Sequence, residues 1–291
     1  MADEPVPREL IVATGEVALS VREWGGSGRP ILCLHGLASN ARWWDAVAGY
    51  LSPPHRVLAV DLRGHGRSDR PERGYGFPEV TGDLTVLISQ LELSRPLVVG
   101  HSWGASVALW LAGALEDVAG VVCVDGGAGD LRSVFGPSWQ VARERMRPPR
   151  LEHLDQDRVR HFVATSAISQ EIGLEAATEA MMGNFERDAE GWLQPRLDLE
   201  RHLEIAKALY ELDQEELWRR VSCPVLFVMA GGANRAAKAV DLERACRVLA
   251  GPAQAQFIDG QHDLPLQHPL AVAEAVAHFA AGLPLGPPSR G

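Results

Sequence analysis

The sequence alternates between short apolar runs, typical of buried strands, and longer segments with the apolar spacing of helices. The later runs are almost continuously apolar, as strands of a parallel sheet covered on both faces are. The predicted strands are 9–14, 17–24, 30–36, 56–64, 96–101, 118–127, 224–231 and 255–260, of which the first two should form a hairpin near an edge. The predicted helices are 40–51, 80–93, 106–115, 238–250 and 269–283. This order predicts an α/β fold with a doubly wound, mostly parallel eight-stranded sheet.

One long stretch interrupts the alternation. Residues 130–220 contain several charged helical segments and no convincing strand. We therefore predict a core domain made of 1–129 and 221–291, into which 130–220 is inserted as a helical cap. An insertion between consecutive strands, at the carboxyl edge of the sheet, would cover any site at that edge.

A serine flanked by two glycines lies between a predicted strand and a predicted helix, in the stretch VVGHSWGAS at 98–106. A strand that turns directly into a helix leaves no room for side chains two residues either side of the tip, and Gly100 and Gly104 have none. Ser102 then lies at the tip, with its hydroxyl exposed above a helix N-terminus. This arrangement is typical of a nucleophile, and we predict that role for Ser102.

A serine hydroxyl needs a base to remove its proton, and the base needs an acid to orient it. In a doubly wound sheet the reacting side chains lie after the carboxyl ends of the strands. His262 follows the last predicted strand, in the loop IDGQHDLPLQHP, and is therefore the predicted base.

The acid is expected after the next-to-last strand, but this chain has Asn234 there. An amide cannot carry the charge that stabilises an imidazolium. The preceding strand ends at Asp125, beside the strand that leads to the serine, and Asp125 is therefore the predicted acid. Asp130 and Asp259 are the alternatives, and Asp125 could instead cap a turn with the glycines that follow it.

A tetrahedral intermediate also needs N–H donors for its oxyanion. One is expected from the residue after the serine, Trp103, and one from the loop LHGLASN at 34–40. Gly36 lets this loop turn inward, and the N–H of Leu37 is predicted to point at the site. Three aromatic side chains are also expected to line the substrate pocket and to favour an apolar acyl or alcohol group. They are Trp43, Phe135 and Trp139, with core packing as the alternative and the favoured role for one of the neighbours Trp43 and Trp44.

Four motifs together resemble those of the α/β-hydrolase fold superfamily, and the resemblance covers nearly the whole chain. They are LHG at 34–36, DLRGHGRSD at 61–69, GHSWG at 100–104 and HDLPLQHP at 262–269. The resemblance implies the same roles as the residues themselves do. These are nucleophile for Ser102, base for His262, and oxyanion donors for the amides of Leu37 and Trp103.

The chain departs from the family pattern in lacking an aspartate near Asn234. Family members similar to haloalkane dehalogenases place the acid where Asp125 lies, which supports the choice of Asp125. The resemblance further implies that the DLRGHGRSD segment ties loops together and does no chemistry.

A serine at this position favours reactions at acyl carbons. Relatives that open epoxides or displace halide attack with an aspartate here, whereas a serine would form a stable ether. We therefore expect a serine hydrolase that cleaves carboxylic esters, with lactones as a further substrate class, through an acyl-enzyme. The same three residues also serve amides and C–C bonds next to a ketone, and a binding protein or receptor with slow turnover is the alternative outside the enzymes. No metal or organic cofactor is expected, because side chains and water suffice.

The composition narrows the partners and the location. A formal net charge of −10 argues against a nucleic-acid partner. The N-terminal MADEPVPRE is acidic and interrupted by prolines, unlike a signal peptide, and no apolar run is long enough to span a bilayer. The four cysteines have no Cys-x-x-Cys spacing and are expected to be free thiols. We expect a cytoplasmic monomer or homodimer that takes a small-molecule ester or lactone and has no membrane partner.

Overall fold

The computed structural model describes residues 6–149, 153–232 and 234–284, so the predicted domain bounds at residues 1 and 291 lie outside it. Its strands are β1 (Arg8–Ala13), β2 (Ala18–Trp24), β3 (Pro30–Leu34), β4 (Arg56–Val60), β5 (Leu97–His101), β6 (Gly120–Val124), β7 (Phe185–Arg187), β8 (Leu193–Pro195), β9 (Val225–Ala230) and β10 (Ala253–Ile258). Its α-helices are α1 (Asp45–Leu51), α2 (Phe77–Gln90), α3 (Trp103–Ala114), α4 (Leu131–Phe135), α5 (Trp139–Met146), α6 (Gln156–Thr165), α7 (Leu174–Met182), α8 (Leu199–Glu211), α9 (Gln214–Arg220), α10 (Arg235–Val248), α11 (Leu264–Gln267) and α12 (Pro269–Gly282). Short 3-10 helices span Ala41–Trp44 and Ala167–Ser169.

Eight of these strands form one sheet in the order β1-β2-β4-β3-β5-β6-β9-β10. The pairs β1–β2 and β2–β4 are antiparallel, and the remaining five pairs are parallel. From β3 the chain moves to β4 on one side and then returns past β3 to β5, β6, β9 and β10 on the other. This change of direction is that of a doubly wound sheet. The predicted fold class is therefore confirmed, including the hairpin of β1 and β2 at one edge.

The sheet is buried on both faces because helices cover each of them. Every residue of β5 and β6 is buried. Along β6 the side chains alternate between the two halves of the core, with Val121 and Cys123 in one and Val122 and Val124 in the other. This period of two explains why both central strands consist almost entirely of apolar residues and glycine.

The stretch between β6 and β9 contains α4 to α9, as the helical patterns predict, but also an antiparallel pair formed by β7 and β8. The expectation that this stretch has no strand is therefore wrong at these residues. Each strand has only three residues, too few for an alternating pattern to be recognised in the sequence. The turn between them is held by Asp188, whose carboxylate accepts hydrogen bonds from the N–H groups of Glu190 and Trp192 at 3.1 and 2.8 Å.

The DLRGHGRSD segment follows β4 and holds neighbouring loops together. Asp61 is buried, and its carboxylate accepts hydrogen bonds from the N–H groups of Ala41 at 2.7 Å and Arg67 at 2.8 Å. Arg63 donates two hydrogen bonds to Asp83 on α2, at 2.6 and 2.8 Å. These contacts fix the loops after β3 and β4 at the carboxyl edge of the sheet. Among the helices of the described residues, none is long and apolar enough to cross a membrane.

Candidate active site

Ser102 lies at the junction of β5 and α3, with φ of 54° and ψ of −119°. A non-glycine residue with positive φ is strained, and such strain is concentrated at functional sites. A Cβ atom on Gly100 would lie 2.1 Å from the carbonyl oxygen of Gly104, and one on Gly104 would lie 2.5 Å from that of Leu34. Both glycines are therefore required by the close approach of the backbone, as the sequence predicts.

His262 reaches Ser102 from the loop between β10 and α11. Its Nε2 lies 3.0 Å from the hydroxyl oxygen of Ser102, and its Nδ1 lies 2.7 Å from Oδ2 of Asp125. The imidazole thus lies between the hydroxyl and the carboxylate, within hydrogen-bonding distance of each. If Nδ1 donates its proton to the carboxylate, Nε2 is free to accept the proton of the serine hydroxyl.

Asp125 directly follows β6, with φ of 43°, and its carboxylate is buried. Its two oxygens have separate partners. Oδ1 accepts hydrogen bonds from the N–H of Ala230, at 2.9 Å, and from Nζ of Lys238, at 2.6 Å. Oδ2 faces His262. The carboxylate is therefore held in one orientation by donors on both sides.

The two alternative acids lie elsewhere. Asp130 caps α4, where its side chain accepts a hydrogen bond from the N–H of Arg132 at 2.9 Å. The side chain of Asp259 is 94% exposed and lies 3.5 Å from Arg235. Of the three candidates, only Asp125 is hydrogen-bonded to His262.

The surroundings shift the two ionisable groups in opposite directions. Burial alone would raise the pKa of Asp125, but the hydrogen bonds from His262, Lys238 and the Ala230 amide lower it below its ordinary value. Burial alone would lower the pKa of His262, but the hydrogen bond and the charge of Asp125, with a smaller contribution from Asp263, raise it. The charge of Lys238 works against this rise. Asp125 is therefore ionised at neutral pH, and His262 is a stronger base than an isolated imidazole.

The loop after β3 lies directly against Ser102. A Cβ on Gly36 would be only 3.2 Å from the Cβ of Ser102. Nδ1 of His35 donates a hydrogen bond to the carbonyl oxygen of Gly36 at 2.7 Å. Because the C=O and N–H of a trans peptide point in opposite directions, the N–H of Leu37 points away from His35. Among the described residues, neither this N–H nor that of Trp103, the first residue of α3, donates to a protein acceptor.

A second imidazole holds the other side of the same loop. The N–H of Ala38 donates to Nε2 of His65 at 3.2 Å, and Nδ1 of His65 donates to the carbonyl oxygen of Arg63 at 3.0 Å. The ring of His65 stacks on Trp103, with 5.5 Å between centroids. Burial lowers the pKa of His65 to about 4, so the ring stays neutral and keeps its acceptor nitrogen at neutral pH.

A cavity of about 680 Å³ lies between the loops after β3 and β4 and the stretch that precedes β9. Its lining includes both apolar and cationic side chains, but neither Ser102 nor His262. Ser39 also lines it, and the hydroxyl of Ser39 is buried without a hydrogen-bond partner among the described residues. Other lining residues are Met181, Phe185, Arg147, Arg196 and His202.

The aromatic side chains predicted to line the substrate pocket are not among those that line this cavity. Trp43 is buried in the 3-10 helix after β3, with 5% of its surface exposed. Phe135 ends α4, and Trp139 begins α5, where its ring packs against Tyr210 with 5.5 Å between centroids.

Two residues at the site were not predicted from the sequence. Lys238 contacts the carboxylate of Asp125, and Nε2 of His101 donates a hydrogen bond to the carbonyl oxygen of His262 at 2.8 Å. A signal for Lys238 does exist, since it is one of only two lysines among 28 basic residues and lies four residues after Asn234. For His101 the signal is its place directly before the serine.

A doubly wound sheet with a serine on a strained turn and a histidine after the last strand is the architecture of a class of hydrolases. Comparison with protein families agrees: the model described as "Alpha/beta hydrolase family" matches residues 31–275, so the chain belongs to this family. Among curated relatives, 2-(acetamidomethylene)succinate hydrolase of Mesorhizobium japonicum is 39% identical over 115 residues, which cover 39% of this chain and 41% of the relative. The match thus spans about two fifths of that relative's length.

Other similarities cover nearly the whole chain. Epoxide hydrolase A of Mycobacterium tuberculosis is 28% identical, over 96% of this chain and 99% of the relative. The crystal structure of an E-2-(acetamidomethylene)succinate hydrolase has a TM-score of 0.74 at 25% identity, over 95% of this chain and 100% of the other. A thioesterase domain from the curacin biosynthetic pathway has the same TM-score at 20% identity, over 93% and 99%, which supports the fold alone.

Proposed function

We propose that this family member is a serine hydrolase that cleaves carboxylic esters, including lactones, through an acyl-enzyme. The observation that carries the proposal is the hydrogen-bonded series from Ser102 to His262, at 3.0 Å, and from His262 to Asp125, at 2.7 Å. The raised pKa of His262 and the ionised Asp125 match the roles of base and acid in such a series.

The proposed reaction has two halves. His262 takes the proton of Ser102 as the oxygen attacks the acyl carbon, and Asp125 stabilises the imidazolium that results. The N–H groups of Leu37 and Trp103 donate to the oxyanion of the tetrahedral intermediate. The imidazolium then protonates the leaving alcohol, and a water molecule activated by His262 releases the acid from the serine.

The identity of the nucleophile separates this proposal from epoxide opening, although one relative is named an epoxide hydrolase. Attack by Ser102 on an epoxide carbon would form an ether, which water cannot cleave through the same intermediate. Amides are the second candidate class, because the relative that is 39% identical in its matched segment is named for a substrate with an acetamido group. C–C bonds next to a ketone remain a third class that the same residues could serve.

We further propose that the cavity holds the part of the substrate remote from the scissile bond. Ser39, which lines the cavity, lies two residues after Leu37, so the cavity begins next to the proposed oxyanion donors. Arg147 and Arg196 line it as well. Among the described residues their nearest carboxylates are those of Glu144 at 3.7 Å and Glu186 at 3.6 Å, which are ion pairs longer than a hydrogen bond. Nε of Arg196 donates to the carbonyl oxygen of Phe185 at 3.1 Å. The remaining guanidinium N–H groups favour a substrate with a carboxylate, and one relative is named for a substituted succinate, which is a dicarboxylate.

The experiment that tests the proposed function compares the parent with Ser102→Ala. The parent should hydrolyse p-nitrophenyl butyrate with continued turnover after any burst, whereas a binding protein would show no turnover after the burst. Ser102→Ala should lower kcat by about three or more decades, because no nucleophile remains. A fluorophosphonate should add one label to the parent and none to the variant, as measured by intact mass.

Ser106→Ala is the matched control, since Ser106 lies one turn further along α3 and is buried without contacting the imidazole. It should keep both turnover and labelling. Labelling of Ser102→Ala, or its turnover at the rate of the parent, would contradict the proposal.

A further inference from the structure

Lys238 on α10 contacts the candidate acid from the side opposite the histidine. Its Nζ lies 2.6 Å from Oδ1 of Asp125 and 3.2 Å from the carbonyl oxygen of Ala230, at the end of β9. The side chain of Lys238 is 26% exposed, whereas that of Asp125 is 3% exposed. The ammonium therefore joins the ends of β6 and β9 and pairs with an otherwise buried charge.

The residue type at this position is unusual for the chain. Only Lys207 and Lys238 are lysines among 28 basic residues. Lys207 is half-exposed on α8 and lies 3.8 Å from Glu211, in a pair that any cation could form. Lys238, in contrast, has a partner on which a lysine and an arginine would act differently.

Two Arg–Asp pairs of this protein show the difference. Arg22 donates to both carboxylate oxygens of Asp45, at 2.8 and 2.9 Å. Arg63 binds both oxygens of Asp83 in the same way. The planar guanidinium matches both oxygens of a carboxylate, whereas an ammonium is a compact point charge. An arginine at position 238 would therefore compete for the oxygen that faces the histidine, and a lysine leaves it free.

We propose that Lys238 is a positioning residue for the reaction, which holds Oδ1 of Asp125 so that Oδ2 faces His262 and which partly balances the carboxylate charge. This inference rests on the proposed function, because it assigns Lys238 a role in the base strength of His262. The same contact also has an electrostatic effect on His262: a fixed ammonium behind Asp125 disfavours a second positive charge on the imidazole.

The other ionisable groups around His262 act differently. Asp125 and Asp263 both favour its protonated form. The ring of His101 lies 4.9 Å from that of His262, and burial lowers the pKa of His101 to about 4, so it is neutral when His262 titrates. Among these groups, Lys238 is thus the one that keeps His262 neutral, and hence able to act as a base, at lower pH.

The test removes the charge, the hydrogen bond, or both. Lys238→Met removes both, Lys238→Gln keeps an N–H donor without charge, and Lys238→Arg keeps the charge. We would measure kcat/KM of p-nitrophenyl butyrate against pH, and titrate the His262 ring directly by NMR of histidine-labelled protein. The His262→Gln variant identifies the signal of His262. Lys207→Met is the matched control, since it removes the other lysine from an exposed helix.

In the parent, kcat/KM should rise with pH through a pKa above that of a free imidazole, because the neutral ring is the base. Lys238→Met and Lys238→Gln should raise the pKa of His262 by about 0.5 to 1 pH unit, both in the pH profile of kcat/KM and in the NMR titration. This is the shift expected for loss of a positive charge at about 6 Å through a partly solvated path. Lys207→Met should leave both unchanged. In Lys238→Arg the guanidinium should bind Oδ2 in competition with His262, so kcat should fall about tenfold or more. The His262 titration should move down, because the hydrogen bond from Asp125 that raises its pKa is weakened.

Unchanged titration of His262 in Lys238→Met, with only a lower Tm, would show that Lys238 is merely structural. Full kcat in Lys238→Arg would refute the argument about the free oxygen. A parent without esterase turnover would count against the proposed function, while the NMR titration would still decide the effect of Lys238.

Discussion

The strongest test of the acid is Asp125→Asn, because the contacts of Asp125 determine how the amide must lie. The N–H of Ala230 and the ammonium of Lys238 both donate to Oδ1. The amide oxygen of an asparagine must occupy this position to accept from them, which turns its NH2 group toward Nδ1 of His262. Nδ1 must then accept a hydrogen bond, so the proton of the neutral imidazole moves to Nε2, facing Ser102.

The size of the effect follows from this orientation. A ring with its proton on Nε2 cannot accept the proton of Ser102, and the charge that stabilises the imidazolium is also lost. In comparable sites an Asp→Asn change lowers kcat by about four decades, or about 5 kcal/mol of activation free energy. The opposite orientation of the asparagine amide does not avoid the loss. It places the NH2 group against the buried N–H of Ala230, at a cost of about 1–3 kcal/mol, and also against the positive charge of Lys238.

The assay is kcat for p-nitrophenyl butyrate, with folding checked by circular dichroism. Asp130→Asn is the control: its side chain caps α4, asparagine caps equally well, and it should keep the parent's activity. If a folded Asp125→Asn variant stays within about tenfold of the parent, the charge on Asp125 is not needed and the reasoning about its two oxygens is wrong.

Three further substitutions, at Gly36, Arg147 and Arg196, test the loop and the cavity. Gly36→Ala should lower kcat about tenfold or more with little change in KM, because the added Cβ would lie 3.2 Å from that of Ser102 and displace the N–H of Leu37. Gly49→Ala is the control: its Cβ would meet nothing within 4 Å, so it should keep full activity in the same assay. Arg196→Met and Arg147→Met should raise KM for a p-nitrophenyl ester of a dicarboxylic acid by about tenfold, and leave KM for p-nitrophenyl butyrate unchanged. Arg187→Met, on the exposed face of β7, should change neither, and equal effects on both esters would remove the argument for a carboxylate.

The central part of the fold could be predicted because its signals are local. Buried parallel strands are continuously apolar, and the turn at Ser102 requires glycine on both sides, so both features can be recognised within nine residues of sequence. The helix predicted over 40–51 corresponds to a 3-10 helix at Ala41–Trp44 followed by α1 at Asp45–Leu51. The pair β7–β8 was missed because three-residue strands depend on their turn, which is held by Asp188, and not on a periodic pattern.

The parts that were not predicted depend on contacts between distant segments. Lys238 is separated from Asp125 by 113 residues, and its contact arises from the packing of α10 beside the end of β9. The predicted aromatic lining was inferred from proximity in sequence to the loop after β3 and to the start of the insertion. Trp43 is part of the core. The cavity is lined by the loops after β3 and β4 together with residues of 147–149 and 181–202, which are distant in sequence from those loops.

The register of the sheet explains how Asp125, the proposed acid, contacts a histidine that arrives from beyond β9. His101 pairs with Val124 across β5 and β6, so Ser102 and Asp125 are the next residues on two adjacent strands. The N–H of Ser102 still donates to Val124 and that of Asp125 to Val228, at 2.9 Å each, so both residues extend the ladder by one bond before the chain turns. Both have positive φ, which points each side chain out of the ladder at the same edge. A histidine that arrives from beyond β9 can therefore contact both at once, and the sequence needs no second carboxylate after β9.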